Sequence, residues 1–79
     1  MEDNTIKELA LKIAYDFNQS IKQRTDLLLE LDSIMYTNLG IDSLSSEKHK
    51  VKSDSKYIYK QIKGIDETLG KELLHHLDV

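Results

Sequence analysis

Lys48, Lys52, Lys56 and Lys60 recur every fourth residue and Lys63 follows three later. On a helix this spacing stacks five ammonium groups along one side. Such a line could bind phosphates, nucleic acid or an acidic protein, with Tyr59 beside it offering a stacking surface. Residues 48–63 hold six lysines and one acid, Asp54, within a chain whose formal net charge is only -3. The plainer alternative is a solvated face. Its methylene stems would cover the apolar seam, and its heads would answer an acidic first half in which residues 1–40 carry seven acids and four bases. Arginine, the bidentate reader of phosphate, is absent from the line, which weighs toward the solvated face.

The single arginine, Arg24, interrupts an apolar stripe in phase with Phe17 and Leu31, with Ser20 beside it. A guanidinium there could hold a carboxylate or a bound anion at an oligomer interface. It could equally form a polar layer that fixes helix register by pairing with an acid such as Asp16. His75 and His76 are neighbours, about 100° apart on a helix, and cannot ligate one ion together. His76 with Glu72 has a workable spacing but no third ligand, and His49 lies within the lysine segment. The chain has no cysteine, no glycine-rich phosphate loop, no His-Glu-x-x-His pattern and no glycine-flanked serine nucleophile. Asp66 and Glu67 are adjacent and solvent-facing by phase, and Ser43, Ser45, Ser46, Ser53 and Ser55 fit turn and capping roles. The expectation is a non-enzyme with no cofactor and no metal.

The elements that would carry these residues are helices. Ile6, Leu9, Ala10, Ile13, Phe17, Ile21, Leu27, Leu28, Leu31, Ile34, Met35 and Leu39 form one stripe in the first half. Thr5 with Glu8 reads as a capping box and Gly40 as a C-terminal stop. This predicts one helix over about 5–39, about 50 Å long. After a turn over about 40–45, Val51, Ile58, Ile62, Ile65, Leu69, Leu73 and Leu77 form a second stripe, with Ser45 or Ser46 as N-cap. The second helix is predicted over about 46–77, continuous through Gly64 and Gly70 because the apolar phase does not slip; a break near Gly64 would add a third short helix.

The predicted fold is therefore all-α, a single domain built as an antiparallel two-helix hairpin. A lone hairpin of 79 residues, 39% hydrophobic, leaves much of each stripe wet, so self-association into a helical bundle is expected, as a dimer. Ile13, Phe17, Leu31, Ile58, Ile62 and Leu69 are the expected oligomer interface. No apolar run approaches the roughly 18 residues of a membrane span, and the acidic N-terminus lacks the character of a targeting peptide, so no membrane is expected and the compartment is read as cytoplasmic. Ten lysines against one arginine, eight isoleucines and no proline are the bias of an AT-rich coding sequence, pointing to a low-GC bacterium or its phage or mobile element. The functional expectation is a small protein–protein interaction module, an adaptor, inhibitor or assembly factor. Its alternative is a binder of nucleotides or nucleic acid through Lys48, Lys52, Lys56, Tyr59, Lys60 and Lys63, with Arg24 across an interface.

Overall fold

The computed structural model describes residues 5–38 and 45–78. They form four helices in chain order: α1 (Thr5–Ala14), α2 (Ile21–Thr37), α3 (Ser45–Ile65) and α4 (Glu67–Asp78). The all-α class holds, but each predicted long helix is broken. A single helix over 5–39 would exceed the 38 Å that the whole molecule spans along its longest axis. The expected cap at Thr5, the stop at Gly40 and most of the turn lie outside the residues whose backbone and side chains are described.

The first break is made by side chains that compete with the helix for its own backbone groups. After Ala14 the chain turns, and Asp16 Oδ1 accepts from the Asn18 amide at 3.2 Å. Ser20 then restarts the helix: its Oγ accepts from Gln23 N at 3.1 Å, while Gln23 Oε1 accepts from Ser20 N at 2.8 Å. This reciprocal capping box satisfies two amides that a helix start otherwise orphans. The apolar phase ran through the interruption only by coincidence, since Phe17 is 75% exposed and Ile21 54% exposed.

The second break falls at Asp66, whose Oδ1 accepts from Leu69 N at 3.3 Å and so caps α4. The continuous second helix is thereby corrected in favour of the broken form, two residues beyond Gly64. Gly70 is buried, and a Cβ there would collide with the backbone of Lys63. Close approach of α4 to α3 therefore depends on a residue without a side chain. Gly64 is the opposite case, with open space where its Cβ would stand.

α1, α2 and α3 pack pairwise, and α4 lies on α3. Ala10, Ala14, Leu28, Met35, Ile58 and Ile62 form the buried core, with Ile13, Leu31 and Leu69 among the half-buried side chains around it. Ile58 and Ile62 were expected at an oligomer interface, but both have 0% exposure within one chain. Folding back on itself gives the chain the partner helices that two uninterrupted rods would have lacked.

The two glycines should respond with opposite signs to the same substitution. Gly64→Ala is expected to stabilise by up to about 1 kcal/mol through helix propensity, and Gly70→Ala to destabilise by about 1–3 kcal/mol through overpacking. Urea denaturation of both variants measures this; stabilisation by Gly70→Ala would remove the close approach from the account.

Candidate functional site

The C-terminal end of α1 is held by α2. Arg24 Nη1 donates to the Ala14 carbonyl at 3.0 Å, a cationic donor on a carbonyl that the helix end leaves unpaired. The same guanidinium lies over the Phe17 ring, 5.1 Å from its centroid, and Phe17 meets Tyr15 edge to face at 6.0 Å. Around them opens a cavity of about 300 Å³ lined by Ala14, Tyr15, Phe17, Ile21, Arg24, Gln61, Gly64 and Ile65. Among the described residues no carboxylate lines it. The anticipated partner Asp16 turns to its own loop instead, and among the described residues Arg24 forms no ion pair. Its Nε is buried without a hydrogen-bond partner.

A second polar cluster lies between α2 and α3. Asp32 is buried and its Oδ2 accepts from the Tyr59 hydroxyl at 2.6 Å, whereas Oδ1 has no partner. Burial, and then this hydrogen bond, push the Tyr59 phenol up to about 12; the Ser55 hydroxyl nearby pulls the other way while standing outside hydrogen-bond geometry. Asp54, also buried, is matched by Lys50 at 2.9 Å. Of these pairs, only Tyr59–Asp32 crosses from α3 to α2 and fixes their register; Lys50–Asp54 lies within α3. Neither Asp32 nor Tyr59 lines the cavity.

Lys48, Lys52, Lys56, Lys60 and Lys63 are all exposed, and none of the five enters an ion pair among the described residues. Tyr59, expected as a stacking ring beside them, is half-buried with its hydroxyl committed to Asp32. Tyr59 is thus tied to Asp32, and Arg24 lines a cavity with Gly64, one helical turn beyond Lys60. His75 and His76 are exposed with rings 6.0 Å apart, and no group of three or more His, Asp or Glu among the described residues is placed to hold a metal ion. The cavity itself was missed by periodicity. Its signal was the Ser20-x-x-Gln23 box, which marks the helix start that leaves Phe17 and Ile21 outside the core.

No family model, curated protein or solved structure matches this chain.

The Tyr59–Asp32 bond has a pH signature. The folded phenol titrates above the unfolded value of about 10, so its stabilisation is complete below pH 10 and is lost as pH rises through about 12. Tyr59→Phe should cost about 1–3 kcal/mol at neutral pH by stranding Asp32, and should flatten the alkaline fall in stability. Denaturation curves at pH 8 and pH 11 check both; an unchanged alkaline slope would refute the assignment.

Proposed function

We propose that the chain is a small non-enzymatic interaction module that docks protein surfaces on the outer face of α1 and α2, pairing first with a second copy of itself. The observation that supports this is the apolar surface left uncovered there. On α1, Lys7 reaches toward Tyr57 of α3, 5.8 Å from Nζ to ring centroid. Leu9 and Ile13 lie on the other side of Ala10 in helical phase, toward α2. On α2, Asp32 marks the α3 side and Arg24 the α1 side. Leu27, Leu31 and Ile34, at steps of four and three, lie on the α1 side. The two sets border one seam. Leu9, Leu27 and Ile34 are 42%, 40% and 52% exposed above half-buried Ile13 and Leu31. Contiguous apolar side chains of this kind mark contact surfaces.

A second reading keeps the lysine line as a binder of nucleotides or nucleic acid. It is favoured by five exposed ammonium groups that no described acid neutralises. Its contacts would weaken steeply with salt, and Lys52→Glu with Lys56→Glu would abolish them.

Light scattering on size-exclusion eluates over a range of micromolar concentrations tests the first reading, with a dimer expected. Leu27→Glu combined with Ile34→Glu should weaken association at least about tenfold, roughly 1.4 kcal/mol, with helicity unchanged. A monomer at every concentration would end the self-pairing proposal.

A further inference from the structure

We infer that the cavity beside Arg24 is a recognition pocket for an acidic peptide segment of a partner, one apolar side chain entering the cavity while the adjoining carboxylate pairs with the guanidinium. The inference rests on the reading of the chain as an interaction module and names the chemistry its partner presents.

Three observations carry it. First, the charge is unanswered: the Arg24 guanidinium is part-buried, its Nε has no hydrogen-bond partner, and a single backbone carbonyl, that of Ala14, holds Nη1. A cation withdrawn from water is stabilised by a counter-charge, and no described lining residue supplies one. Second, the rest of the lining is apolar or neutral, and about 300 Å³ is room for a large side chain. Third, the cover is loose. Phe17 lies over the guanidinium yet is 75% exposed, so it is the side chain whose rotation admits a carboxylate. A bidentate carboxylate on arginine, flanked by apolar contact, gives orientation as well as attraction. A phosphate-rich partner is better matched by the five exposed lysines of α3.

Arg24 is the only arginine in the chain, so its Nε–H resonance is a single, unambiguous probe. The full chain carrying Leu27→Glu and Ile34→Glu is titrated with acetyl-Gly-Phe-Glu-Gly-amide, with the same peptide carrying Gln for Glu, and with one carrying Ala for Phe. The first peptide is expected to move the Arg24 Nε–H signal with a dissociation constant on the order of 1 mM, and each control to bind at least about tenfold more weakly, the loss of one charged or one apolar contact. Gly64→Leu projects into open space, so it preserves the fold while filling the cavity. It should abolish the shift.

Equal binding of the Gln peptide, or undiminished binding to the Gly64→Leu variant, overturns the inference. So does octanoate moving the signal when the Glu peptide does not, because the pocket would then take a fatty acid. Since the probe is read on a chain whose α2 face is already altered, failure of self-association leaves this result intact, and failure of the peptide leaves the dimer measurement intact.

Discussion

The hydrogen bond from Arg24 to the Ala14 carbonyl is the contact on which the N-terminal half of the molecule depends. α1 has only ten residues, too few for a helix to persist in water without tertiary support. Arg24 reaches across the turn to its last carbonyl and ties that end to α2. Ala10 and Ala14 are small, which lets α1 lie close against the other helices and become fully buried on that face. The same reach that anchors α1 leaves the guanidinium at the wall of a cavity, with Phe17 over it and no acid among the described lining residues. Anchor and pocket are two consequences of one side chain.

Burial of polar groups governs how α2 and α3 align. The inward stripe of α2 runs through Thr25, Leu28, Asp32 and Met35, so half of it is polar. Thr25 resolves this locally by donating to the Lys22 carbonyl at 3.0 Å. Asp32 has no such local answer and needs Tyr59 from α3. Sliding the two helices by one turn would bury the carboxylate unpaired, at a cost of several kcal/mol. Apolar contacts tolerate such a slide far better, so a lone polar pair can decide the register of an otherwise forgiving seam.

The all-α class and the amphipathic character of both halves were legible in the residue pattern. The breaks were not legible in periodicity. Ile13, Phe17 and Ile21 follow at steps of four, the spacing of one helical face, although the six residues 15–20 between α1 and α2 are not helical. Local chemistry carried the missing information: Asp16 accepts from the Asn18 amide and Ser20 from the Gln23 amide, and Asp66 does the same before α4. In the residue pattern Gly70 reads only as a position inside a continuous helix, whereas its role is the contact it permits with Lys63. The exposure of Phe17 and the burial of Asp32 follow from tertiary placement and have no signature in spacing alone.

These placements divide the surface by chemistry. The α1–α2 side carries uncovered leucine, isoleucine and phenylalanine, and α3 carries the exposed lysine line. A second copy approaching through α3 would set like charges against each other in proportion to how closely the helices met. Approach through the α1–α2 seam has no such penalty and covers the side chains that one copy leaves wet. Because the lysines then remain on the outside of the pair, self-association and anion binding would occupy separate faces, and loss of one would leave the other in place. The Arg24 cavity belongs to the apolar half by position and to the cationic half by charge, which is why a partner carrying both an apolar group and a carboxylate answers it best.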